Sequence, residues 1–171
     1  MTDTLIKSRD RLLNLCKSLS AKQATARLGA DTWSIADIVE HLALSERGSM
    51  MIGVKRTLSQ PEATGDLLAQ TNQKSELIQT RIPTLASRAA APDFLLPSGR
   101  FKEWPGALLA FEQARSNTLD MEAVADDAFD SRVMPHPILG PLTLRQWFHF
   151  TAEHTERHTR KIEEILAYND A

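Results

Sequence analysis

The chain has 171 residues, with 20 Lys+Arg against 22 Asp+Glu and a formal net charge of −2. That length suits one domain (1–171) with a core large enough to stand without disulfides or a structural metal. The near-neutral balance argues against a general nucleic-acid binder and against a polybasic membrane anchor, leaving a small molecule as the expected partner.

The single cysteine, Cys16, cannot form an internal disulfide, and there is no Cys pair for a thiolate zinc site. The first residues lack a basic-then-apolar leader, and no apolar run approaches the length of a membrane span. A cytoplasmic location is the expectation.

In chain order, the first helical period places Leu5, Leu12, Cys16 and Leu19 on one stripe. The second opens at Ser34, where Ser34-Ile35-Ala36-Asp37 is the Asp version of a capping box with Trp33 just outside. Its inward stripe reads Ile38, His41, Leu42, Ser45, Met51 and Ile52, and it carries Gly48 and Gly53 at a cost in helix propensity. Either a packing contact or a bend would account for those glycines. Residues 60–65 read as a turn, 66–88 as a polar helix interrupted at Pro83, and 91–106 as a loop rich in proline and glycine. The third strong helix runs from about Trp104 to Ala125, with Trp104, Leu108, Phe111, Arg115 and Leu119 on its stripe. A second loop, 134–141, ends at the capping box Thr143-Leu144-Arg145-Gln146, and the last helix continues to about Ala167.

Four amphipathic helices must bury their faces together. The fold class expected is all-α: an up-and-down four-helix bundle with an extra helical excursion between the second and third core helices. The short first connection predicts that the first two helices are neighbours. The 66–100 excursion offers an interface for a homodimer.

Chemistry concentrates in the last helix. His154 and His158 are four apart, about 40° from each other on a helix, and share a face with Leu144, Trp147, Thr151, Ile162 and Ile165. Core-facing imidazoles are costly unless partnered, and a pair one turn apart can grip one metal ion. The intervening Thr-Glu-Arg lacks the glutamate placement of an H-E-x-x-H protease. His41 is the natural third ligand because it also lies on an inward stripe. Three neutral imidazoles leave a coordination position open, and zinc or nickel suits such donors. An i,i+4 histidine pair is also common as a merely solvated or hydrogen-bonded feature, so spacing alone leaves both readings open.

The stretch Trp33-Ser34-Ile35-Ala36-Asp37-Ile38-Val39-Glu40-His41-Leu42 resembles the W-S-x-x-E-x-x-x-H-L signature of the DinB-like (YfiT-like) metal-binding superfamily. The segment from His136 through Gly140-Pro141-Leu142-Thr143-Leu144-Arg145-Gln146-Trp147 to His154 and His158 resembles that family's closing G-x-L-T-L-x-x-W…H-x-x-x-H pattern. The resemblance implies a four-helix bundle holding one divalent metal on His41, His154 and His158. It also implies either thiol-S-transferase or hydrolase chemistry, with a low-molecular-weight thiol as cosubstrate in the first case. Asp37 stands where the family has Glu, which bears on capping rather than coordination. The other reading of such a site is a non-catalytic module in which the ion only staples helices.

The remaining candidates have plainer readings. Arg115, the one charge on an apolar stripe, reads either as a cation covering the core edge with its stem or as a substrate-binding anion receiver. His149 and His136 read as surface and loop histidines, with His136 able to overhang the site mouth. Cys16 reads as a small core hydrophobe. The three tryptophans read as walls at helix starts, and Glu122, Asp126, Asp127 and Asp130 as a solvated helix end. Glu40 and Glu153 each project about 100° away from the neighbouring histidine, so no general base is evident.

Overall fold

Four long helical runs form where the apolar spacing predicts them in the computed structural model, which describes residues 2–84, 91–101 and 103–169. Helix α1 (Thr2–Cys16) buries Leu5, Ser8, Leu12 and Cys16, and the one-turn α2 (Ala21–Ala24) follows on a Ser20 capping box. Helix α3 (Ile35–Ser45) begins at the expected cap. Asp37 N donates to the Ser34 hydroxyl at 3.2 Å, and Ser34 N donates to the Asp37 carboxylate at 2.8 Å.

The run beyond α3 changes pitch. Glu46–Val54 is a π-helix, followed by a last α-turn, α4 (Lys55–Leu58). A π-turn holds more residues than an α-turn, so the inward stripe slips along the sequence. It passes from Ile38, Leu42 and Ser45 to Glu46, Met50 and Val54, all buried. The predicted Met51 and Ile52 lose the inward position, and Ile52 is 69% exposed. At Gly53 a Cβ would lie 2.7 Å from the Met134 sulfur, so a larger residue there would require that flexible side chain to shift.

The excursion is more broken than its sequence pattern suggests. It forms α5 (Gly65–Ala69) and α6 (Lys74–Arg81), separated by Gln73 at φ +64°, a left-handed residue that no α-helix can continue through. A 3₁₀ turn at Ile82–Thr84 follows, and the rest of that predicted helix, 85–88, lies outside the described residues. A second 3₁₀ turn, Asp93–Leu95, interrupts the 91–101 loop. Helix α7 (Trp104–Ala123) starts with Pro105 in its first turn, where the missing N–H costs nothing. The single turn α8 (Ala128–Ser131) leads onward.

Residues 134–141, predicted as loop, are instead the centre of a β-hairpin. Strand β1 (Val133–His136) pairs antiparallel with β2 (Gly140–Thr143) in the register Val133↔Thr143 to His136↔Gly140. Gly140 takes φ +73° at the turn exit, and the His136 ring accepts hydrogen bonds from Ile138 N and Leu139 N, both at 3.1 Å. Helix α9 (Leu144–Asn169) starts at the expected Thr143/Gln146 box, with bonds of 3.0 and 3.1 Å.

Both α1 and α3 pack chiefly on α7 and α9. The first two core helices therefore face each other across the bundle rather than lying side by side. Residues 17–34, with α2 among them, form a connection long enough to make that crossing. The core divides into two apolar clusters. One holds Leu12, Cys16, Ile35, Ile38, Leu42, Phe111 and Ile162. The other holds Leu5, Met50, Val54, Ile78, Phe129, Leu144 and Phe148. Between them, at one level on four helical runs, sits a buried polar layer of Ser8, Glu46, Arg115 and Thr155. No helix among the described residues is long and apolar enough to cross a membrane.

Candidate metal centre

His41 comes from α3 and His154 and His158 from α9, and helical spacing brings all three to one point. The Nε2 atoms of His154 and His158 are 3.1 Å apart, and those of His41 and His154 are 3.4 Å apart. Each of the three offers a ring nitrogen within 4.8 Å of the others. Tetrahedral coordination with metal–nitrogen bonds of about 2.0–2.1 Å sets ligand nitrogens ~3.3 Å apart. The observed spacings fit that geometry. Without an ion the same spacing requires an Nε2–H on one ring of each pair to donate to the other, so these are the sites a cation would take over from a shared proton.

The tautomer of one ring is fixed by its outer partner. His41 Nδ1–H donates to the Leu95 carbonyl at 3.0 Å, which leaves the Nε2 lone pair aimed at the other imidazoles. Burial lowers the pKa of His41, with Arg157 adding to the effect and the Leu95 carbonyl opposing it. Burial also drives His154 and His158 well below the usual histidine range, helped by the neighbouring imidazoles and by Arg157. All three rings are thus held neutral, the state a metal ligand requires.

The surroundings are aromatic. Trp33 lies 4.8 Å from the His41 ring and 6.4 Å from His158, and Phe150 stacks on His154 at 5.2 Å. Beside His154 is a small cavity of about 10 Å³, lined by Ser45, Glu46, Trp147, Phe150, Thr151 and Thr155. Such a space takes about one water molecule.

Glu40, which sequence reasoning treated only as a poor general base, has a structural task. Its buried carboxylate accepts from Ser98 N at 2.8 Å and Gly99 N at 3.0 Å, and pairs with Arg100 at 3.4 Å. It therefore pins the 91–101 loop that delivers the Leu95 carbonyl to His41. A glutamate immediately before His41 is visible in sequence, but its loop partner is not.

Arg115 sits outside the histidine cluster and is fully buried. All five N–H groups are used: Nε and one Nη on Glu46 at 2.7–3.0 Å, the others on Leu5 O, Ser8 Oγ and Thr155 Oγ1. That arrangement is neither a stem covering the core edge nor an open anion receiver. The guanidinium joins α1, the π-helix, α7 and α9 in the polar layer.

His136 departs from the loop reading. It is buried between Trp147 and Phe150, with ring centroids 5.1 and 4.3 Å away, and burial lowers its pKa to about 4. His149 is half-buried, with its pKa lowered mainly by burial. Cys16 is the core hydrophobe expected, its thiol pushed up to about 12 by burial and so inert at neutral pH. Of the tryptophans, Trp33 walls the histidines, while Trp104 donates to Leu19 O and Trp147 to Met134 O. In the acidic segment, Asp130 pairs with Arg145 at 2.8 Å, Asp126 caps Ala128 N at 3.0 Å, and Glu122 accepts from the Thr2 hydroxyl.

The sequence profile of the DinB superfamily matches residues 4–162, which include every residue of the cluster. The chain belongs to the DinB superfamily. The chain is 26% identical over 154 residues to YuaE, an uncharacterized protein of Bacillus subtilis (strain 168), covering 89% of this chain and 88% of that one. In three dimensions it matches YfiT from Bacillus subtilis with a TM-score of 0.64 at 16% identity, covering 99% of this chain and 85% of that one. YfiT is described as a probable metal-dependent hydrolase with an unusual four-helix bundle topology. At that identity the likeness establishes the fold, and the bundle of this DinB chain is the same one.

Proposed function

We propose that this DinB chain binds one divalent ion, zinc or nickel, on His41, His154 and His158 and uses it as a metal-dependent enzyme of hydrolase or thiol-S-transferase type. The observation that carries the reading is the pair of Nε2 separations, 3.1 and 3.4 Å, between imidazoles held neutral by burial. When bound there, the ion supplies Lewis acidity and acidifies a water or thiol to near neutrality.

This chain's residues account for the rest of the site. The Leu95 carbonyl fixes the His41 tautomer, and the Glu40-anchored loop holds that carbonyl in place. Trp33 and Phe150 flank the imidazoles with apolar surface, which limits competing water. The Ser45 hydroxyl lies 3.5 Å from His41 Nε2, on the metal-facing side of that ring, and can accept or donate a hydrogen bond to a group entering there. A hydrolase fits the description of YfiT. A thiol cosubstrate fits the same open position equally well, because soft thiolate competes with water for such an ion.

The staple reading is less well supported. The polar layer already ties α1, the π-helix, α7 and α9 through Arg115, so the bundle does not require an ion for cohesion. The test is to measure the metal content of the purified protein and of His158→Ala, then to assay the loaded protein. The assay would pair a panel of biological thiols with an electrophile such as monochlorobimane, and run activated esters and amides alongside. Metal-dependent turnover in either series supports the enzyme, and loaded protein inert in both supports the staple. Metal retained by His158→Ala refutes the ligand set.

A further inference from the structure

Beside the site stands a cation with no ion-pair or hydrogen-bond partner among the described residues. Five arginines among the described residues are partly buried: Arg9, Arg11, Arg132, Arg145 and Arg157. Arg9 pairs with Asp10, Arg11 with Glu156 and Glu163, Arg132 with Glu62, and Arg145 with Asp130. Arg157 alone has neither a hydrogen-bond nor an ion-pair partner. Taking a guanidinium partly out of water without a counter-charge is unfavourable, and surface arginines ordinarily avoid it by extending into solvent.

Its position explains what the cation faces. On α9, Arg157 lies next to His158 and about 60° around the helix from His154, on the side where Phe150 stacks. Phe150, His154 and Arg157 therefore form one track along the helix. Arg157 thus stands on the helix that carries two of the three imidazoles, one residue from His158 and three from His154, and makes no ion pair with a carboxylate among the described residues. The nearby acids are committed elsewhere or stand off: Glu156 to Arg11, Glu164 to Lys161, and Glu40 to the 98–100 backbone, while Glu153 makes no ion pair. Three neutral donors cancel none of a divalent ion's charge. With the ion bound the centre would be positive twice over, and the planar, two-pronged guanidinium of Arg157 stands unpaired beside it among the described residues.

We infer that Arg157 receives the oxyanion group of a small anionic substrate or cosubstrate whose reacting end reaches the three-histidine centre. This rests on the metal reading above and deepens it by naming the charge of the ligand. A guanidinium binds carboxylate or phosphate oxygens in a fork, which fixes orientation as well as charge. Arg157 thereby takes the anion-receiving role that one of the two sequence readings gave to Arg115.

The experiment compares two probes of one shape, 3-mercaptopropionate and 3-mercapto-1-propanol, on cobalt-substituted protein. Binding is followed by the thiolate-to-cobalt absorption in the near ultraviolet. Wild type should take the carboxylate probe about tenfold more tightly than the alcohol. Arg157→Met should bind both alike while keeping its cobalt, and Arg157→Lys should keep part of the preference. Competition by acetate and by inorganic phosphate then separates a carboxylate receiver from a phosphate receiver. Equal affinity of wild type for the two probes, or a preference unchanged in Arg157→Met, overturns the inference. If wild type binds no cobalt, the metal reading fails on its own. Arg157 is then tested in the metal-free protein by titrating acetate and phosphate against its Nε–Hε resonance, where no shift with either ion overturns the anion site.

Discussion

Replacing Arg115 with methionine is the perturbation whose consequence the geometry defines most closely. The guanidinium is completely buried and donates through every N–H, with two of its nitrogens on the equally buried Glu46. Methionine fills most of the volume but leaves the Glu46 carboxylate with the Thr118 hydroxyl, at 2.9 Å, as its remaining side-chain donor. Leaving one member of a buried ion pair behind costs about 3–5 kcal/mol. For a domain of this size each kcal/mol lowers Tm by roughly 2–4 °C, so a drop on the order of 10 °C is expected in thermal unfolding followed by circular dichroism. Arg115→Met/Glu46→Met removes both charges and should recover much of the loss, since apolar replacement of a whole buried pair is often neutral. Metal content should be unchanged in both variants. A single variant within 1 kcal/mol of wild type, or a double variant as unstable as the sum of its parts, would refute the assignment of Arg115 to the polar layer.

Two further outcomes follow from the same geometry. Glu40→Gln should weaken metal affinity about 10- to 100-fold in competition with a chelator, because the loop carrying Leu95 O loses its charged anchor and His41 its fixed ring; unchanged affinity would contradict that chain of contacts. In the metal-free protein, stability should fall as pH is lowered from about 6.5 to about 4. His41, His136, His154 and His158 all have folded-state pKa values below the unfolded value, with His136 at about 4. The unfolded chain therefore takes up protons first, and stability present above about pH 6.5 is lost across that window. Urea unfolding at four pH values checks the sign, and a flat profile would show that the histidines are not buried neutral.

How much of this was legible in the sequence depends on whether a residue's partner lay at helical spacing. His41, His154 and His158 fall on inward stripes that a 3.6-residue period marks directly, and both capping boxes are local. Glu46 was missed because the π-helix advances the stripe: an α period keeps Ser45 inward and points toward Met51 and Ile52, whereas the wider turn brings in Glu46 and Met50. Arg115 was recognised as anomalous, but its counter-ion was hidden by that slip. The hairpin was missed because each strand is four residues long and both contain proline, at Pro135 and Pro141, which erases the alternation that marks a strand. Glu40 needed the fold, since its partners lie 58–60 positions away. The adjacency of the core helices also needed the fold, because connection length limits which helices can be neighbours without deciding which are.

The most direct measurement is X-ray absorption spectroscopy of the purified protein beside elemental analysis of wild type and His158→Ala. One divalent ion per chain is expected, with three imidazole nitrogens at about 2.0–2.1 Å, one or more light-atom positions open to exchange, and loss of the ion in the variant. Absence of a metal after reconstitution, or an ion held by a closed set of four protein ligands, would contradict a reactive three-histidine centre.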